Sequence, residues 1–341
     1  PLIYRCVFNN KSVKNTSIKH TSIKNSQFFL LPFAIGHSMM QTILMIGLGK
    51  IGLPVAKQLA AQGHCVIGVS RSMPTDLAFC SPMTAKLPPD NDHLYQKNLH
   101  FVASDARALI IAQLSQWTSQ INQICIIVSP DTLSLQGYHD SYYAIAENVV
   151  RLGDHLPNLK RVVFISSTGV YGQNAGEVID INTPVFAPAS ATSQVILQTE
   201  QLLQQHFEDK SVIIRPSGIY GQSRLRLLTM ATQLAAQSPN MTSDYPSNTW
   251  TNRIMDIDLV SIIVKVTNTG ETVPVYLATD NAPVPLYTVL NYLATAQGLN
   301  LSLPCMEPTT GKRIINNLPT TWLNYPDWQS GYQHILSALG E

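Results

Sequence analysis

The feature that most constrains the fold is a glycine-spaced loop, Gly47-Leu48-Gly49-Lys50-Ile51-Gly52, set between an apolar run and a helical repeat. Before it, Thr42-Ile43-Leu44-Met45-Ile46 is the kind of short apolar stretch that a parallel sheet buries on both faces. After it, Leu53, Ala56, Leu59 and Ala60 recur at helical spacing, and Gly63 supplies a stop. In such a strand–turn–helix, the first glycine permits the tight turn and the second lets the backbone approach a pyrophosphate. The third lets helix and strand pack closely. The helix that starts there aims unpaired N–H groups and its positive dipole end at the phosphates. A glycine triplet alone is weak; between a strand and a helix it predicts a dinucleotide site formed by residues 47–52.

The rest of the chain repeats the same alternation. Apolar runs at 64–69, 100–103, 124–128, 161–165 and 212–214 read as further strands, and 142–152 and 193–206 suit helices. Repeated βα units predict an α/β fold, a Rossmann doubly wound parallel sheet with right-handed crossovers, over residues 41–220. A returning strand–helix contribution is expected from about 255–285. Residues 221–341 are expected to form a smaller C-terminal α+β substrate region, where Trp322, Tyr325, Trp328 and Tyr332 offer a satellite core.

Residues 1–40 read differently. They are rich in Lys, Asn, Ser and Thr, repeat Thr-Ser-Ile-Lys at 16–19 and 21–24, and end in an apolar run at 28–35 too short to span a bilayer. They are expected to be a non-structural extension, with Met39 or Met40 as the natural start. No Asp or Glu precedes Asp76, yet the formal net charge of the 341 residues is only +1, which gives no reason to expect nucleic acid or a membrane as partner. The five cysteines are scattered and odd in number, without a Cys-x-x-Cys pair. That argues against disulfides and metal and for a cytoplasmic location. A small molecule is the expected partner, and the chain is expected to be a monomer or homodimer.

The end of the second strand bears on cofactor choice. Sites that take NAD carry Asp or Glu there to accept from the ribose 2′-OH. This chain has Ser70-Arg71-Ser72, and a guanidinium pairs with a 2′-phosphate that a carboxylate would repel. The expected cofactor is therefore NADP, with NAD possible. Asp105, after the third strand, is expected either to contact the adenine or to cap a helix starting near Ala106.

Two later segments carry a resemblance. Residues 162–172, Val-Val-Phe-Ile-Ser-Ser-Thr-Gly-Val-Tyr-Gly, resemble the fifth-strand signature of extended short-chain dehydrogenase/reductases. Residues 213–221, Ile-Ile-Arg-Pro-Ser-Gly-Ile-Tyr-Gly, resemble their sixth-strand Arg-Pro signature. Residues 252–260 and 311–326 are similar to segments that follow in order, with Asp256 where His is usual. The resemblance covers about 41–335 and points to the NAD-dependent epimerase/dehydratase group of nucleotide-sugar enzymes. It implies that Ser167 is the catalytic hydroxyl, that Arg215 and Pro216 lie at the cofactor, and that Arg253 grips a substrate phosphate.

The resemblance breaks at the Tyr-x-x-x-Lys helix, whose Lys lowers the Tyr pKa for proton exchange. Glu200 looks like the Glu that commonly follows that Lys by four residues. Counting back puts Ile196 at the Lys position and Thr192 at the Tyr position. A threonine hydroxyl is far less acidic than a phenol, and Ile carries no charge. The pattern is similar to the atypical short-chain dehydrogenase branch, with Tyr171 and Tyr142 as candidate phenols supplied from elsewhere. Two functions remain open: an atypical oxidoreductase or epimerase-like enzyme on a nucleotide-sugar or related carbonyl/hydroxyl substrate, or a non-catalytic NADP(H)-binding redox sensor. The start of the chain also resembles β-hydroxyacid dehydrogenases, but the strand signatures at 162–172 and 212–221 argue against their all-helical C-terminal domain.

Overall fold

A computed structural model of the chain describes residues 40–75, 97–185, 188–237 and 245–340. The expectations for residues 1–38 lie outside the described residues.

The first apolar run forms strand β1 (Thr42–Ile46), and the glycine loop turns it into helix α1 (Gly52–Ala61). Strands β2 (Cys65–Ser70), β3 (Leu99–Ala103), β4 (Gln123–Ile126) and β5 (Arg161–Ile165) follow. Between β4 and β5 run a short helix α2 (Leu135–Tyr138), one π turn (His139–Tyr143) and α3 (Ala144–Gly153). Next come β6 (Ala175–Ile179), α4 (Ala191–Phe207), β7 (Ser211–Pro216), β8 (Gly218–Tyr220) and α5 (Arg226–Ala235). Strands β9 (Trp250–Thr251) and β10 (Arg253–Met255), α6 (Asp256–Asn268), β11 (Val275–Ala278) and β12 (Val284–Pro285) precede α7 (Leu286–Ala296), β13 (Gly311–Ile314) and α8 (Trp328–Leu339).

Seven strands form one sheet in the order β11-β7-β5-β4-β1-β2-β3. Every pairing in it is parallel. Alternate side chains of each strand feed two cores, as the period of two requires. Leu44 and Ile46 of β1 pack with Val149 of α3 and Leu203 of α4 on one face. Ile43 and Met45 pack with Leu59 of α1 and Ile263 of α6 on the other. The strand order reverses between β1 and β4, and in open α/β sheets the crevice beyond the strands' carboxyl ends at that point is where ligands bind.

Three details depart from the sequence-based expectation. The helical run before β5 starts at Leu135 rather than 142, because Ser134 Oγ accepts from Gly137 N at 3.0 Å and caps it. No helix starts near Ala106; Asp105 Oδ1 accepts from Arg107 N at 2.9 Å and closes a turn instead. The aromatic satellite core divides. Trp328 and Tyr332 join Leu228, Leu290 and Leu293 in a third core, whereas Trp322 stacks on Tyr276 with ring centroids 5.8 Å apart.

A small second sheet, β12-β9-β13-β6, was not legible in the sequence. Its strands β9 and β12 are two residues each, and β6 is mostly exposed, so neither carries a hydrophobic alternation. Asp258 in α6 is fully buried and accepts from the backbone N–H groups of Asn324 and Tyr325 at 2.9 Å each, which ties the C-terminal segment to the helix beneath the sheet.

Candidate dinucleotide site and the adjoining serine turn

A cavity of about 330 Å³ opens at the reversal point, lined by Gly47, Leu48 and Gly49 from the loop, Ser70 and Arg71 beyond β2, Asp105 and Arg107 beyond β3, and Asp131 beyond β4. The glycine geometry fits the pyrophosphate role position by position. Gly47 has φ 95°, and a Cβ there would lie 2.1 Å from Ile127 O, so β1 can turn against β4 only at glycine. A Cβ on Gly52 would lie 1.9 Å from Gly47 O, which is the close helix–loop packing expected of the third glycine. Gly49 faces open space, with nothing within 4 Å of its ideal Cβ, so its backbone is free to meet a phosphate. Lys50 and Ile51 do not line the cavity. Ile51 packs with Leu53 and Ile127 in the core below, and Lys50 is exposed on the turn.

At the far end of the cavity the charges are paired. Arg71 holds Asp131 through two bonds, Nη1 to Oδ2 at 2.6 Å and Nη2 to Oδ1 at 2.7 Å. Arg107 reaches Asp105 through Nε and Nη2, and its Nη1 lies 3.4 Å from Asp140. The Arg107 hydrogen bonds hold the Asp105 carboxyl down at about 2. Asp105 is thus engaged with its own turn and with Arg107 as well as lining the cavity. Arg107, Asp131 and Asp140 are lining groups that sequence reading missed; for Arg107 the available signal was an Arg two residues after Asp105, which follows β3.

Ser167 follows β5, the strand next to β4, at the same carboxyl edge of the sheet. Its Oγ accepts from Gly169 N at 3.0 Å, which fixes the turn Thr168–Val170. Facing it, the start of α4 presents further hydroxyls. An ideal Cβ on Gly169 would lie 3.2 Å from Ser167 Oγ and 3.1 Å from Ser193 Oγ, so both side chains border one small gap. Ser190, the N-cap of α4, donates to Ser193 Oγ at 2.9 Å and lies 3.1 Å from Thr192 Oγ1. Ser190 and Ser193 do not stand out in the sequence, where they read as ordinary capping residues.

Two expectations need correction. Tyr171 is 1% exposed, and its hydroxyl accepts from Arg215 Nη1 at 2.8 Å; burial pushes its pKa up. It is a core residue, not an accessible acid. Arg215 is equally committed, donating from Nε and Nη2 to the two Glu200 oxygens at 3.0 and 2.6 Å, so its side chain has no donor facing the glycine cavity. Glu200 also accepts from Ser166 Oγ. The cluster braces the turn carrying Ser167 from below, and Thr168 Oγ1 adds a bond of 3.3 Å to Pro216 O at the end of β7.

Arg253 also departs from its expected place. It is 4% exposed, donates to Thr251 Oγ1 at 2.9 Å, and sits among Tyr220, Tyr332 and Asp280, with its pKa lowered by burial. In this arrangement it ties the C-terminal region to the sheet rather than presenting an open phosphate contact. Cys125, buried in β4, has its thiol pushed up to about 11 by burial, which suits an inert core residue. Among the described residues no group of three His, Cys, Asp or Glu is arranged to hold a metal, and no helix is long and apolar enough to cross a membrane.

A parallel sheet with a glycine cradle at its reversal point and a serine turn one strand away defines a dinucleotide-binding protein of the Rossmann type. The family model for the NAD dependent epimerase/dehydratase family matches residues 43–252, and the chain belongs to that family. Among solved structures, a candidate NAD-dependent epimerase/dehydratase from Methylobacillus flagellatus is 28% identical, with TM-score 0.66, over 89% of this chain and 100% of that one. The Bordetella bronchiseptica enzyme WbmG, solved with NAD and UDP, is 14% identical with TM-score 0.64 over 90% of this chain and 97% of its own. UDP-glucuronic acid 4-epimerase from Bacillus cereus, solved as a point mutant with a fluorinated UDP-sugar and NAD, is 17% identical with TM-score 0.61, over 88% and 100%. No curated protein matches the chain in sequence.

Proposed function

We propose that the chain binds NADP(H) in preference to NAD(H) and acts as an atypical oxidoreductase or epimerase-like enzyme on a nucleotide-sugar or a related carbonyl or hydroxyl compound. The observation that carries the cofactor choice is the adenosine end of the cavity, where Arg71 and Arg107 both line the wall and β2 ends in Ser70 rather than a carboxylate. The residues fit the dinucleotide: Gly47, Leu48 and Gly49 would hold the pyrophosphate, and Ser70, Arg71 and Arg107 the phosphorylated ribose. When bound, the nicotinamide supplies the donor or acceptor of a hydride. Ser167 would donate its hydroxyl to the substrate oxygen, while Ser193 and Ser190 extend a hydrogen-bonded line of hydroxyls from that gap to the exposed start of α4. The nucleotide-sugar class rests on the family and on the UDP compounds bound by the B. bronchiseptica and B. cereus proteins.

The test is a panel of nucleoside-diphosphate sugars with NADP⁺, read by NADPH formation and by chromatography of epimerised sugar, together with simple carbonyls and NADPH, read by its oxidation, with Ser167→Ala as the comparison. At least one substrate is expected to turn over, and the variant to lose about 10²-fold or more in kcat, the scale seen when one preset hydrogen-bond donor to a reacting oxygen is removed. Equal rates in the two proteins would remove Ser167 from the chemistry.

One observation favours a second reading, a non-catalytic NADP(H)-binding sensor. Ile196 is buried in the core at the place of the family's Lys, and Thr192 is engaged with Ser190, so neither supplies an acid or a cation. Silence across the whole panel together with a partner captured only in the presence of NADPH would establish this reading; turnover would dismiss it.

A further inference from the structure

The two guanidiniums offered to a 2′-phosphate are not free. Arg71 is 63% exposed and Asp131 56% exposed, and the two are joined bidentately across 60 residues of sequence. A carboxylate held edge-on by both terminal nitrogens of a guanidinium occupies the same hydrogen-bonding positions that two phosphate oxygens would take. Arg107 is occupied in the same way by Asp105, with Asp140 on its remaining nitrogen. All five side chains line the cavity, so its wall carries three carboxylates against two guanidiniums. Arg71 and Asp131 are also close enough to Asp105 and Arg107 to act on one another electrostatically.

From this arrangement we infer that Asp131 is a specificity-determining residue, an internal counter-anion that competes with the 2′-phosphate for Arg71 and limits how far the site prefers NADP(H) over NAD(H). The inference rests on the proposed role of Arg71 at the 2′-phosphate. Two effects act in the same direction. Binding a 2′-phosphate on Arg71 breaks the bidentate pair, and the released carboxylate then stands beside a dianion. NAD(H), with a hydroxyl there, leaves the pair in place. The pair is exposed, so its rupture is a modest cost, and Asp131 tunes the preference rather than abolishing it. Asp131 lies between β4 and Ser134, whose hydroxyl caps α2, and Thr132 Oγ1 lies 2.8 Å from Ser134 Oγ, so the carboxylate is carried on a short, exposed loop.

The experiment is calorimetric titration of the full chain with NADP⁺ and with NAD⁺ at low ionic strength, for wild type, Asp131→Asn and Arg71→Ala. The quantity compared is the ratio Kd(NAD⁺)/Kd(NADP⁺), which cancels any general loss of binding, and a thermal unfolding scan verifies that each variant is folded. Asp131→Asn is expected to raise the ratio about three- to tenfold, the range appropriate to one exposed ion pair and its screened repulsion. An unchanged or lower ratio in Asp131→Asn overturns the inference, even if wild type prefers NADP⁺. The underlying cofactor reading fails separately, on wild type binding NAD⁺ more tightly with Arg71→Ala leaving the ratio where it was. If wild type prefers NAD⁺ but Asp131→Asn turns the preference toward NADP⁺, the counter-anion role stands.

Discussion

At the scale of single residues, the glycine loop separates two kinds of requirement that look identical in sequence. Gly52 is needed by the fold, because an added Cβ would lie 1.9 Å from the Gly47 carbonyl, a backbone atom that cannot move aside. Gly49 is needed only by a ligand, because its Cβ would meet nothing. Gly52→Ala is therefore expected to lower stability by about 1–3 kcal/mol, the usual cost of overpacking, seen as a drop in Tm. Gly49→Ala should unfold within a few degrees of wild type yet weaken NADP⁺ binding at least tenfold, since the methyl would stand where the pyrophosphate approaches. Differential scanning calorimetry and titration calorimetry separate the two, and exchanged phenotypes would contradict the assignment. The loop, the serine turn and Arg71 were legible because each is a local spacing after a strand. Arg107 and Asp131 were not, because what brings them to Arg71 is the adjacency of strand ends, which no local pattern encodes.

At the scale of elements, α4 illustrates how a motif residue can be recognised while its work is not. Glu200 stands out by its spacing from Thr192 and Ile196, but its partner Arg215 lies on β7, and the pairing depends on α4 packing across β5 and β7. In the fold these residues, with Tyr171 and Ser166, make a buried ion pair that fixes the serine turn from beneath. Removing one member leaves the other charge buried without compensation, which typically costs about 3–5 kcal/mol. Arg215→Met or Glu200→Leu alone should show that loss in urea denaturation, whereas the double variant should recover much of it because both charges leave together. Additive losses in the double variant would mean the two residues stabilise the chain independently. The short strands β9 and β12 make the complementary point. They are formed by tertiary contact alone, so the second sheet had no hydrophobic alternation by which to be read.

At the scale of the whole molecule, the C-terminal region is joined to the sheet by a polar seam, and this seam sets a pH dependence. Asp280, just beyond β11, is 1% exposed; Oδ1 accepts from Ala282 N at 3.1 Å, and Oδ2 has no hydrogen-bond partner among the described residues. Burial pushes its pKa up to about 7, against the partial relief of the Ala282 N–H and the nearby Arg253. An unfolded Asp titrates near 3.9, so between about pH 4 and 7 the folded chain keeps a proton that the unfolded chain has released. Its contribution to stability is therefore greatest below pH 4, declines as pH rises toward 7, and is level above. The full swing is on the order of 4 kcal/mol. Other carboxylates oppose it: Asp105, held down at about 2 by Arg107, loses its stabilising effect only as pH falls through the acid range below 4. The test is consequently a difference between proteins. Asp280→Asn keeps the size of the side chain and its acceptor for Ala282 N, and has nothing to titrate. Urea midpoints at pH 4.5, 5.5, 6.5 and 7.5 should show the variant gaining on wild type at each step, with the difference levelling to a constant above 7.5. Parallel curves across that range would mean that Asp280 is ionised in the fold, with Arg253 bearing its charge at the seam.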